Sequence, residues 1–252
     1  MKNLVLSATL ALACSAHAQE WKGVGEFGLA ITSGNTDTQN INGKFGLVKD
    51  TDAWKHEFAL ALLQSKTDDS KTAQRYEAAW TSGYKLNEIS YVYGSLRYEN
   101  DKFGAFRNQT VAGIGYGIYA IKEEPTTLLF EVGAGYRRAQ PQDKVEGAVC
   151  IALVGVVCPP FVVTQFPKEG DGILRGKMDF SHQLNDNTSL YDTFLIEAGS
   201  DNKFMQNDLG VAVKMSDAFA VKVGFQLRHN SDVAPNLKKT DRLFTTNLVY
   251  SF

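Results

Sequence analysis

The chain has no apolar run long enough to cross a bilayer as a helix. Nothing in its 252 residues approaches the roughly 18 consecutive apolar residues that such a span needs. Histidine is scarce. Beyond the N-terminal segment only His56, His182 and His229 occur, too far apart in sequence to suggest the clustered ligands of a zinc site. An excess of one charge sign is missing as well. The 26 Lys and Arg against 28 Asp and Glu leave a net charge of −2, which gives no basic surface for nucleic acid. A helical period is absent from Glu20 onward, which argues against a helical enzyme.

What is present at the start is an export signal. Lys2 supplies a positive first region, Leu4 to Ala13 a short apolar core, and Ala16-His17-Ala18 an A-x-A cleavage site. Residues 1–18 are therefore expected to be a signal peptide, with a single domain over 19–252. Cys14 could suggest a lipoprotein, but Ala11 stands where a leucine is expected. Cleavage removes Cys14 and leaves Cys150 and Cys158. In an oxidising periplasm two close cysteines usually pair, so a disulfide between them is expected.

The rest of the chain reads as strands. Segments of about 10–13 residues alternate apolar with polar and are broken by Asp, Asn, Gly and Ser clusters. They fall at 20–32, 38–49, 54–66, 75–86, 90–101, 108–121, 128–140, 172–184, 189–199, 204–215, 218–229 and 241–252. The last places Phe244, Thr246, Leu248, Tyr250 and Phe252 on one face. Two segments are less clear: Asp192 and Phe194 share a face in the ninth, and the sixth is glycine-rich. Every second connection is tight, as at Asp50-Thr51-Asp52, Asn87-Glu88 and Ser216-Asp217. The others are on the whole longer, at 67–74, 102–107, 141–171 and 230–240, although 33–37 and 200–203 of the same set are short as well. Short periplasmic turns and longer outside loops are the pattern of outer-membrane barrels. The fold class expected is thus all-β, a transmembrane antiparallel up-and-down barrel of about twelve strands. A soluble two-sheet sandwich would carry shorter strands. An even strand number leaves both termini in the periplasm.

Alternation assigns a mixed set of charges to the lumen: Glu26, Lys44, Glu57, Arg75, Glu77, Arg97, Glu99, Glu131, Arg137, Arg175, Lys177, Asp179, Lys214, Lys222 and Arg228. Buried charges need partners or water. Either these residues pair into a plug or they line a narrow wet pore. Eight strands leave no channel and sixteen leave a clear one, so twelve does not decide between them. Trp54, Trp80, Tyr84, Tyr91, Tyr250 and Phe252 are expected as interfacial anchors. Segment 141–171, with its apolar stretch around the two cysteines and Pro159-Pro160, reads as a disulfide-pinned outside hairpin.

Two motifs suggest chemistry weakly. Gly23-Val24-Gly25-Glu26-Phe27-Gly28 matches G-x-G-x-x-G, but a dinucleotide site needs a following helix, and here a hairpin follows. His229 and Ser231 could serve a lipid hydrolase if the serine reached the histidine within hydrogen-bond distance. That would need a local bend, so no enzyme, cofactor or metal is expected and the hydrolase is the alternative.

The segments Ser33-Gly34-Asn35-Thr36-Asp37, Tyr98-Glu99-Asn100-Asp101-Lys102-Phe103, Gly113-Ile114-Gly115-Tyr116-Gly117, Glu131-Val132-Gly133-Ala134-Gly135-Tyr136-Arg137 and Thr246-Asn247-Leu248-Val249-Tyr250 resemble the YdiY-like salt-induced outer-membrane proteins, a domain family of unknown function. The likeness covers nearly all of the chain after the signal. It implies an outer-membrane barrel linked to salt or osmotic response, with no established catalytic residues; the role expected for the chain is envelope structure or a narrow passive channel for small solutes. The partners expected are outer-membrane lipid and the barrel-assembly machinery, which reads a last strand ending in Phe252. Segment 143–170 departs from the family pattern as an apolar, cysteine-bearing insertion.

Overall fold

A computed structural model describes residues 21–32, 38–142, 144–146, 162–164, 166–233 and 237–252. The expected signal segment, the Ser33–Asp37 motif, Cys14, Cys150 and Cys158, and with them the expected disulfide, lie outside the described residues. Among these residues every regular element is a strand: β1 (Trp21–Thr32), β2 (Thr38–Asp50), β3 (Trp54–Thr67), β4 (Ser70–Lys85), β5 (Ser90–Asp101), β6 (Phe106–Glu123), β7 (Thr126–Pro141), β8 (Lys144–Glu146), β9 (Val162–Thr164), β10 (Glu169–Asn185), β11 (Thr188–Gly199), β12 (Lys203–Lys214), β13 (Phe219–Asn230) and β14 (Thr240–Ser251). Twelve of them close into one antiparallel barrel in the order β1-β14-β13-β12-β11-β10-β7-β6-β5-β4-β3-β2. β8 and β9, both within the β7–β10 connection, pair as a separate two-stranded antiparallel sheet.

The pleat sets two faces. On β14, Phe244, Leu248 and Tyr250 are exposed, whereas Asn247 and Val249 are buried. One row of register partners runs outward across seven strands through Ile121, Leu128, Phe180, Asp192, Leu209, Phe225 and Phe244. The outward belt is apolar and open: Ile114 is 74% exposed, Leu174 70% and Phe244 78%. The interior is the reverse, since Glu99, Glu131, Arg137, Glu197 and Arg228 are all buried. A soluble sandwich puts its apolar face inside, so this inside-out distribution rules that alternative out.

Two local details differ from the alternation pattern. The connection expected over 67–74 shrinks to Asp68-Asp69, both with positive φ (47° and 61°). Asp tolerates that region, and two such residues make the tight turn whose twist matches a hairpin. β4 therefore starts at Ser70. The second detail is Tyr91, which points into the barrel at 4% exposure and is not an interfacial anchor. Tyr84 pairs with Val92 on the outside, so Tyr91 and Tyr93 must face in. Their rings lie across the glycines of β6 and β7. A Cβ on Gly117 would stand 2.4 Å from the Tyr91 ring, and one on Gly115 would stand 2.6 Å from the Tyr93 hydroxyl. The weak patterning of the sixth strand is the space those rings occupy.

The seam is the thinnest part of the wall. β1 and β14 pair over Val24–Phe27 against Ser251–Leu248, whereas β1 pairs β2 along its whole length. Phe252 completes the seam. Its N–H donates to the Gly23 carbonyl at 2.9 Å, the Gly23 N–H donates back at 2.7 Å, and its ring covers Gly23 on the outside. Gly23 and Gly28 of the G-x-G-x-x-G string thus sit inside a strand, with no helix to follow.

Candidate functional site in the lumen

Hydrogen bonds between strands that are not neighbours must run through the interior, and several do. The widest joins β5 to β13, six places apart around a ring of twelve. There Arg228 Nη2 donates to Glu99 Oε2 at 2.5 Å. Arg97 on β5 donates to Glu197 on β11 and lies 3.4 Å from Glu99. The Gln109 amide donates to the other Glu99 oxygen at 3.1 Å. The guanidiniums of Arg97 and Arg228 lie 5.3 and 5.0 Å from the ring centre of Phe204, which is 2% exposed. Asp101 stands 3.8 Å from Arg228, and Glu77 sits among Arg75, Arg97, Arg228 and Glu99. Two guanidiniums thus flank one buried aromatic ring, with Arg75 and four carboxylates close by, in the half of the barrel nearer the long loops.

A second polar layer lies above this one. Arg137 Nη2 donates to Asp171 at 3.1 Å and to the Asn202 carbonyl at 3.2 Å. Asn202 Nδ2 donates to Asn230 at 2.8 Å. Gln142 ties the base of the long excursion to the neighbouring loop, donating to the carbonyls of Asp101 and Gly104 at 2.7 and 3.0 Å. Among the described residues, Arg97 Nε, Arg228 Nε and Arg137 Nη1 are buried with no hydrogen-bond acceptor.

Below the cluster the two sides of the lumen differ. On the β3–β5–β7–β10 side it is filled. Arg175 donates to Glu131 and to the Tyr93 hydroxyl, each at 2.8 Å, and Tyr91 donates to Glu131 at 2.7 Å. Lys55 lies 2.6 Å from Glu57, and Lys177 lies 2.5 Å from Asp179. On the β1–β2 and β12–β14 side it is open. A cavity of about 450 Å³ opens among the short turns, lined by Glu26, Tyr191, Lys214 and Lys222 and, at the short-turn ends of β7 and β10, by Thr126 and Ser181. A second, of about 330 Å³, shares Glu26, Tyr191 and Lys222 with it and reaches Lys44, Arg75, Glu77 and Asp208. Lys222 donates to Glu26 at 2.8 Å and lies 4.1 Å from the centre of the Tyr191 ring. At the upper end Arg75 donates to Gln226 at 2.7 Å, and Gln226 donates to Asp208 at 2.7 Å. Lys44 is held more loosely, 3.5 Å from Asp208.

All fifteen charged residues assigned to the lumen by alternation therefore stand on its inner face. Alternation did not single out Lys55, Asp101, Asp171, Glu197, Phe204 or Asp208. Phe204 has the parity of Asp208 and Lys214, a signal the sequence did contain. His229 and Ser231 are not brought together. Thr240 engages His229 Nδ1 at 2.9 Å. Ser231 Oγ accepts from the Lys203 N–H at 2.8 Å and donates to Asn202 at 3.4 Å.

Residues 25–252 match the family described as "Protein of unknown function, DUF481". The chain belongs to that family. The uncharacterized protein YdiY of Escherichia coli (strain K12) is 21% identical over 230 residues, which cover 89% of this chain and 80% of that protein. Among solved structures, the translocator domain of the autotransporter NalP from Neisseria meningitidis aligns with a TM-score of 0.54 at 12% identity, covering 94% of this chain and 90% of that one. An outer membrane channel from Pseudomonas putida F1 aligns with a TM-score of 0.48 at 11% identity, over 92% and 94% of the two chains. At 12% identity the likeness to the translocator domain is one of fold, and the fold of this DUF481 member is a closed twelve-stranded antiparallel barrel.

Proposed function

We propose that this protein sits in the outer membrane of a Gram-negative-type bacterium and is a narrow channel for small polar solutes, closed at rest by the charged cluster around Phe204. The apolar outward belt supports the membrane reading, because barrel strands present such a face to lipid and a polar one to the lumen. Closure leaves no strand edge unpaired in hydrocarbon. The tight turns on one side of the barrel support a periplasmic position for the short-turn mouth.

One observation carries the channel reading. Two cavities with shared walls lead from the short-turn mouth to a cluster that two cross-lumen ion pairs hold shut. A purely structural barrel has no need of a wet half-channel ending at a removable obstruction. The mixed lining predicts weak selectivity between ions of opposite sign. The spare guanidinium N–H groups of Arg97 and Arg228 give a passing anionic or hydroxyl-bearing solute something to bind.

Planar-bilayer recording tests this. The wild type should give rare, small conductance steps. Removing one partner of the widest pair, as in Arg228→Ala, should give larger and more frequent ones. Silence from both, in membranes where the inserted barrel is verified, would overturn the channel in favour of a structural envelope role.

A further inference from the structure

The outward belt contains one feature that hydrocarbon does not tolerate well. Away from the strand ends, Asp192 is the one carboxylate at an outward position among the described residues. Its place in the outward row is fixed by Phe180 on one side and by Leu209, Phe225 and Phe244 on the other. Asn207 lies on the adjacent row, between Phe194 and Leu227. Asn207 Nδ2 donates to Asp192 Oδ1 at 2.5 Å and weakly to the Thr193 carbonyl at 3.4 Å. Among the described residues no other group bonds Asp192, and its Oδ2 and the Asn207 side-chain carbonyl carry no hydrogen bond.

Lipid offers no donor for these atoms, and a bare polar group in hydrocarbon is costly. We infer that the β11–β12 face docks a second copy of this chain, with Asp192 and Asn207 of each protomer bonded across a two-fold axis. The chemistry favours a second copy over an unrelated partner because the patch is self-complementary. It pairs a carboxylate that only accepts with an amide that donates and accepts. A two-fold axis beside the pair brings the amide of each protomer to the free carboxylate oxygen of the other. This is the isologous geometry of most homodimers. The surrounding side chains, Phe194, Met205, Leu209 and Val211, are apolar, so the pair would be enclosed in a dry ring where hydrogen bonds give register.

This inference rests on the lipid-facing reading of the belt, and the experiment separates the two. The full-length protein is folded into lipid vesicles, and insertion is scored by heat-modifiable gel mobility and protease protection. Dimer formation is scored by fluorescence energy transfer between separately labelled populations across a range of protein-to-lipid ratios. Insertion without energy transfer at any ratio overturns the dimer and leaves the membrane reading intact; failure to insert overturns both. With a wild-type dimer in hand, Asp192→Leu combined with Asn207→Leu should weaken association at least about tenfold, given the modest strength of each hydrogen bond in lipid, with insertion unchanged. Asp192→Asn, which keeps donors and acceptors, should retain most of it. A Leu double variant that associates like the wild type refutes the assignment to this face.

Discussion

The pair Glu99–Arg228 spans the barrel at its full width, and its removal separates two roles a buried ion pair can have. Side-chain exposures of 4% and 6% mean that water does not take over when one partner is deleted. Orphaning a buried ion costs about 3–5 kcal/mol. The lower end applies here, because Arg97 remains 3.4 Å from Glu99 and Asp101 remains 3.8 Å from Arg228. Arg228→Leu and Glu99→Leu should therefore each destabilise the barrel by about 3 kcal/mol. The double variant leaves neither charge stranded and should cost no more than either single change. The resulting coupling is about 3 kcal/mol or more. The assay is urea unfolding in vesicles, followed through the three tryptophans, all on β1, β3 and β4. Additivity of the two single changes, with a coupling below about 0.5 kcal/mol, would refute the claim that these groups bond each other across the lumen. The ion pair would then be filling without function.

Three further outcomes follow from the packing. Phe204→Ala removes a fully buried ring and should cost about 3–5 kcal/mol while raising single-channel current, read by urea unfolding and bilayer recording. Gly117→Ala drives a methyl into the Tyr91 ring and should destabilise by about 1–3 kcal/mol; adding Tyr91→Ala should recover part of that in the same unfolding assay. Deleting Phe252 exposes Gly23 and removes two seam hydrogen bonds. The variant should accumulate less folded barrel in the outer membrane, scored by heat-modifiable mobility, and normal accumulation would argue against a C-terminal assembly signal.

The fold was legible in the sequence because a barrel wall has a strict period of two, and most strands obey it. Phe219, Val221 and Val223 against Lys222 on β13 leave one reading of the faces. The exceptions have physical reasons. β6 was faint because Gly115 and Gly117 serve rings that belong to β5. Strand β11 was ambiguous because Asp192 breaks the apolar side. The lumen set was legible by parity, but its partners were not. That Glu99 meets Arg228 rather than the nearer Arg75 depends on how twelve strands curl, and no local pattern encodes it. Phe204 escaped notice because an aromatic residue on a barrel strand is read as facing lipid.

The four-pair seam bears on how the chain reaches this state. Every other wall contact between consecutive barrel strands can form from residues close in sequence, except where β7 meets β10 across the long excursion. The seam instead joins Val24 to Ser251 and Phe27 to Leu248. Bringing distant segments together carries a loop-closure entropy that grows with the logarithm of their separation, and here the fewest pairs reward it. Closure should therefore be the final event, preceded by a curved sheet open along one side. During that interval the free edges of β1 and β14 are the places where a helper's strand could pair and from which it would be released once the ring is shut.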